Sequence, residues 1–159
     1  MKIAFYRGFR GNWMDWLISI LSLNKYSHCE LIYDGWSYTS TMRDGNGVRK
    51  KKINFDPKKW DIFELPENEK EHLIIDFFEY SKNCKYDLWG ILLRIGFGLP
   101  KRNFDKFYCS EWCCIILNRI YDTQIHPQVS PGDLYINLKR KNLKWQKEKD
   151  LQLNLKIMN

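Results

Sequence analysis

Cys109 stands at the head of FYCSEWCCIILNRI (Phe107 to Ile120), where Trp112, Cys113, Ile116 and Ile120 recur at helical spacing with no Gly or Pro between them. A helix start leaves backbone N–H groups without intrahelical partners and carries partial positive charge. Both favour a thiolate over a thiol, so a cysteine there can be a nucleophile at neutral pH, and the same N–H groups can hold an oxyanion. The plainer reading is a small apolar core residue, as cysteine often is. The residue that favours chemistry is His28, the one of three histidines that falls on a clear strand, YSHCELIY (Tyr26 to Tyr33). An imidazole on a strand facing a thiol on a helix takes the thiol proton, and a third polar group then orients the ring. Alternation puts Glu30 and Ile32 on the His28 face, with Cys29, Leu31 and Tyr33 on the other. A buried carboxylate without a partner is costly, so Glu30 is expected to have one.

The elements that must position these groups follow in order. Lys2 to Tyr6 is expected as a first strand. Asn12 can cap a helix whose apolar stripe, Trp13, Trp16, Leu17, Ile20 and Leu21, is expected to pack in the core. Asp34-Gly35 is a two-residue hairpin signal, returning Tyr26–Tyr33 into a partner strand over Trp36 to Met42. This register sets Glu30 opposite Thr39 and His28 opposite Thr41. Val48 to Phe55 is expected as a basic edge strand and Trp60 to Leu65 as a further strand. Pro66-Glu67 opens a helix to about Lys82 with Leu73, Phe77 and Tyr80 inward. Asp87 starts an apolar segment, Leu88 to Ile95, which Gly96-Phe-Gly98 and Pro100 break. After the Cys109 helix, Ser130-Pro-Gly-Asp133 reads as a turn and Leu134 to Leu138 as a last strand. Strands and hairpins mixed with helices predict an α+β domain over 1–138, with a basic tail over 139–159 packed on it or fraying from it.

The chain has 159 residues, 44% hydrophobic and 16% aromatic, which suits one domain with a real core and excludes a disordered polymer. The apolar run Trp16 to Leu23 is too short to span a bilayer, and no signal-peptide pattern precedes it. Five cysteines, three of them crowded on one helix, suit a reducing, cytoplasmic setting. The formal charge of +7 is concentrated in Arg49, Lys50, Lys51 and Lys52 with Lys58 and Lys59, and in the tail from Lys139. Such runs are most often a solvated face; they can also contact nucleic acid, an anionic membrane or an acidic protein.

SHCEL (Ser27 to Leu31), TSTMRDGNGVR (Thr39 to Arg49), Lys85-Tyr-Asp87, FYCSE (Phe107 to Glu111) and SPGDL (Ser130 to Leu134) fall in one order. That order resembles the circularly permuted papain-like cysteine hydrolases of the NlpC-type superfamily, from about Lys2 to Leu138. Relatives include bacterial YiiX-like proteins, a poxvirus group, phage proteins and, more distantly, the lecithin retinol acyltransferases. The resemblance implies a permuted papain-like fold: an antiparallel sheet packed against helices, the Cys-bearing one among them. It implies Cys109 as nucleophile, His28 as general base and acid, and Tyr86 in the cleft. Several relatives carry Glu on the strand returning from the His hairpin, where this chain has Thr39. Glu30, across the hairpin on the same face, is then the candidate third residue, with Thr39, Thr41 and Asp44 as alternatives.

The implied chemistry is acyl transfer through a thioester, as in a cysteine peptidase or amidase, with no cofactor. Relatives cleave cell-wall peptide amides or act on lipid acyl groups. Trp13, Trp36, Tyr86 and Trp112, with Thr39, are the candidate substrate contacts; the aromatics can equally be core. A zinc site from Cys109, Cys113, Cys114 and His28 is disfavoured, because Cys113 and Cys114 diverge by about 100° on a helix. The alternative reading of the whole chain is a catalytically weak binding module of the same fold, acting through its basic surface.

Overall fold

The computed structural model describes residues 1–43, 45–99, 105–142 and 145, without the side chains of 95 and 96. In chain order the elements are β1 (Lys2–Arg7), α1 (Trp13–Leu21), β2 (Tyr26–Tyr33), β3 (Trp36–Thr41), β4 (Gly47–Lys51), β5 (Trp60–Glu64), α2 (Leu73–Ser81), β6 (Lys85–Tyr86), α3 (Leu88–Phe97), β7 (Lys106–Phe107) and α4 (Cys109–Tyr121). A fifth helix, α5, spans 131–142. The protein is α+β, as its pattern of elements implied. One sheet runs β5-β1-β2-β3-β4-β6-β7, antiparallel throughout except where β6 and β7 run parallel.

Period-two alternation decides which side chains meet the helices. Ile3, Phe5, Cys29, Leu31 and Tyr38 enter the main core, where α4 supplies Trp112, Cys113, Ile116 and Ile120, and α2 supplies Ile74 and Phe77. Trp112 is fully buried, and its one polar atom is satisfied: Nε1 donates to Ser81 Oγ at 2.9 Å. Burying one such side chain contributes about 1.5–3 kcal/mol. Across the sheet, Ala4, Tyr6 and Trp60 form a smaller cluster with Ile32 and Phe55. Ile18, Ile91 and Tyr108 form a third, joining α1, α3 and the segment that enters α4.

Asp34 and Gly35 take φ values of 48° and 72°, the left-handed pair a two-residue hairpin turn needs. The β2–β3 ladder follows the expected register, Leu31 opposite Tyr38 through Tyr33 opposite Trp36, and ends there. The expected pairs Glu30/Thr39 and His28/Thr41 lie beyond it. Instead the Thr39 hydroxyl donates to the Cys29 carbonyl at 2.8 Å, and Ser40 Oγ donates to the Phe107 carbonyl at 2.6 Å. The opening strands thus receive the segment that delivers Cys109.

Four expectations are corrected. β4 stops at Lys51 and lies between β3 and β6, so it is not an edge. Residues 134–138 are helical, not a strand: Ser130 Oγ accepts the Asp133 N–H at 3.0 Å and donates to Asp133 Oδ2 at 2.7 Å, an N-terminal cap. Leu134 and Leu138, four apart, then share one buried face. The resulting helix crosses the boundary expected at Leu138; of the tail, only 139–142 and 145 are described. The 66–82 segment is split into a 3-10 turn at Glu69–His72 followed by α2, and Tyr80 points to solvent.

The fourth correction concerns α1. Asn12 caps it as expected, accepting the Met14 and Asp15 N–H groups while Asp15 accepts the Asn12 N–H. The apolar stripe, however, faces outward: Trp13 is 72% exposed, Trp16 54% and Ile20 39%. The inward residues are Asp15, Ile18 and Ser19. Asp15 fixes this orientation, because its carboxylate takes the Ser27 hydroxyl at 2.8 Å and the Arg43 guanidinium as well as its capping contact. Gly8 lets the helix sit close: a Cβ there would lie 2.0 Å from Ser19 Oγ and 2.5 Å from the Asp15 carbonyl.

Candidate active site

Cys109 is the first residue of α4, preceded by an extended Tyr108. α4 packs on β2 and β3, so its N-terminus arrives beside His28. The His28 ring and the Cys109 side chain lie close enough for each to shift the other's ionisation. His28 Nε2 donates to Glu30 Oε1 at 3.1 Å. The edge of the ring packs on Trp60, centroids 6.1 Å apart. Glu30 is in turn held by Arg49 Nη2 at 2.9 Å and by the Ser37 hydroxyl. Two residues apart on one strand, His28 and Glu30 share a face by geometry alone, and Arg49 reaches them from the position opposite Thr39.

Charge follows from this arrangement. Burial alone pulls the His28 ring down, but the Cys109 sulfur and then the Glu30 carboxylate outweigh it and hold the ring up to about 9. For Cys109, burial opposes ionisation; hydrogen bonding from the Cys29 side chain and the positive His28 ring overcome it and hold the thiol well below its ordinary range. Glu30 likewise stays below its usual range, burial being offset by His28, Arg49 and Ser37. Cys29 and Tyr86 are pushed up, first by burial and then by Cys109. Both shifts favour the protonated form. These directions favour a thiolate beside an imidazolium, with Cys29 and Tyr86 kept neutral.

A cavity of about 230 Å³ opens beside this pair, its walls including Trp13, Met14, Asp15, His28, Thr41, Met42, Arg43 and Tyr86. The Arg43 guanidinium lies over the Tyr6 ring at 4.3 Å and pairs with Asp15. The sulfur itself is fully enclosed behind this wall.

Cys109, His28, Glu30 and Tyr86 are therefore brought together. Three expected substrate contacts are not. Trp112 is core, on Phe77 and Ser81. Thr39 is buried on the Cys29 carbonyl. Trp36 lies at the hairpin end of β3, under the Lys50 and Lys52 ammonium groups at 4.7 and 5.0 Å. Thr41 lines the cavity, its hydroxyl accepting the Arg43 N–H at 3.1 Å, and Asp44 lies outside the described residues. Arg49, read as part of an outward basic run with Lys50, Lys51 and Lys52, is turned in to Glu30 with its side chain only 11% exposed. Strand alternation separates Arg49 from Lys50 but leaves it on the same face as Lys51, so the run alone does not single it out. Cys29, Ser37, Asp15 and Arg43 were also missed, because neighbours across strands and helices leave no local mark.

No family model matches the chain, and no curated protein matches it.

Proposed function

We propose that this chain is a cysteine-dependent hydrolase of permuted papain-like architecture, acting on an amide or ester carbonyl. The observation that carries the reading is that Cys109 at a helix head lies beside His28, whose ring is held by Glu30, with the His strand preceding the Cys helix in the chain. The Cys109 thiolate attacks the carbonyl carbon, and the Cys109 backbone N–H at the head of α4 and the Tyr86 hydroxyl stabilise the oxyanion. His28, protonated at rest, gives its proton to the leaving amine or alcohol as the thioester forms. It then takes a proton from water, which attacks the thioester and frees the acid and the thiolate. Glu30 keeps the ring oriented and its charge stable, and Arg49 and Ser37 keep Glu30 ionised.

The enclosed sulfur favours a second reading, a catalytically weak binding module. One experiment separates the two. Iodoacetamide at pH 6.5 is expected to label Cys109 first among the five cysteines, as read by peptide mass spectrometry, and His28→Ala is expected to suppress that label. Labelling of Cys109 no faster than that of the half-buried Cys84 would remove the hydrolase reading.

A further inference from the structure

We infer that the outward face of α1 docks on an anionic lipid bilayer. In a monomeric domain a helix buries its apolar stripe. Here α1 does the reverse, tying Asp15 to the body, burying Ser19, and presenting Trp13, Trp16 and Ile20, continued by a 93% exposed Leu23. α3, which packs beside α1, also leaves a large apolar side chain more than two-thirds exposed at each end, Trp89 and Phe97. Scattered exposed apolar residues are ordinary; two tryptophans and an isoleucine exposed together on one short helix are not. Tryptophan at the margin of an apolar face is the signature of a membrane interface.

Charge selects the occupant. Between Gly8 and Lys25 the one acid is Asp15, buried and bonded, whereas the exposed charges are Arg10 and Lys25, the latter also reaching Asp61 at 3.1 Å. The one charged residue of α3 is Arg94. Anionic headgroups complement the same charges, and the whole chain carries +7. Among the described residues no helix is long and apolar enough to cross a membrane, so the contact is with the surface. Trp13 belongs to both this face and the cavity wall beside His28, so a docked bilayer meets the cavity mouth. The docking itself stands apart from the hydrolase reading; only that consequence rests on it.

The test is cosedimentation of the full chain with vesicles of equimolar phosphatidylcholine and phosphatidylserine. Binding is expected, weakened by added salt, and lowered by about tenfold or more in the Trp16→Ser/Ile20→Ser double variant. Neither residue lines the cavity, so Cys109 labelling in solution is expected to stay at the wild-type rate. As a second readout on the unaltered chain, brominated phosphatidylcholine in the same vesicles is expected to quench tryptophan fluorescence. Absence of sedimentation, absence of quenching, undiminished binding by a folded double variant, or a solution dimer that the double variant dissolves would each overturn the proposal. Docking that survives Cys109→Ser, or is seen without any Cys109 labelling, leaves the membrane inference standing and the hydrolase reading refuted or untouched on its own measurement.

Discussion

Glu30→Gln isolates the charge behind the imidazolium while keeping the size of the side chain. In the structure Oε1 accepts from His28 at 3.1 Å and from Arg49 at 2.9 Å. A hydrogen bond to a charged partner contributes about 1.5–3 kcal/mol, and one pKa unit is 1.36 kcal/mol, so losing the charge moves His28 by about one to two units. The direction is down. Arg49, left without its carboxylate, pushes the same way. His28 is then expected to titrate at roughly 7 to 8 instead of about 9. The sign for stability follows. A histidine held above its ordinary 6.5 contributes stability that is complete below that pH and lost as pH rises through about 9. Cys109, held below its ordinary value, contributes the opposite slope, complete above the ordinary thiol range and lost as pH falls through its lowered value. Between 6.5 and about 9, folding moves a proton from sulfur to nitrogen and takes none from solution, so the pair's contribution is flat. In Glu30→Gln the upper edge of that plateau retreats with His28. The assay is an NMR titration of the labelled imidazoles, assigned with His72→Gln and His126→Gln, beside melting curves across pH. The variant loses a buried counter-charge and is expected to cost about 3–5 kcal/mol; Glu30→Gln/Arg49→Met recovers part of that and leaves His28 low. A folded Glu30→Gln protein whose His28 still titrates near 9 would refute the reasoning.

Four further outcomes are expected. His28→Ala returns the Cys109 thiol toward the ordinary range, slowing its alkylation at pH 6.5 by about ten- to a hundredfold, measured by timed mass spectrometry. Tyr86→Phe lowers turnover on a thioester-forming ester substrate by about a hundredfold with little change in KM, since the lost donor acts on the transition state. Asn12→Ala removes the α1 cap and costs about 1 kcal/mol, read from chemical denaturation. Gly8→Ala forces a methyl group against Ser19 Oγ and the Asp15 carbonyl and is expected to cost about 1–3 kcal/mol, seen as a lower melting temperature.

The parts of the site set by one element were legible in the chain. Alternation over Tyr26–Tyr33 places His28 and Glu30 on one face, and uninterrupted helical spacing after Cys109 places the sulfur at a helix head. Periodicity locates a stripe but carries no sign, so Trp13, Trp16 and Ile20 were assigned inward although three contacts on Asp15 turn them out. Leu134 to Leu138 was too short to tell strand from helix by pattern. The decisive mark was Ser130-Pro131 ahead of Asp133, a cap and first-turn proline. Arg49 was hidden among lysines because a run of like charges conceals which member the pleat turns inward. Cys29, though visible on the opposite face from His28, gains its role from α4, which no local spacing encodes.

Asp15 makes one carboxylate the fastening for three separate stretches of chain: the cap of α1, Ser27 next to His28, and Arg43 on the cavity wall. Whatever tilts the outer helix is therefore transmitted through a single rivet to the neighbour of the imidazole. Selection or engineering at this position cannot adjust how the helix is carried without also retuning how the histidine is aimed.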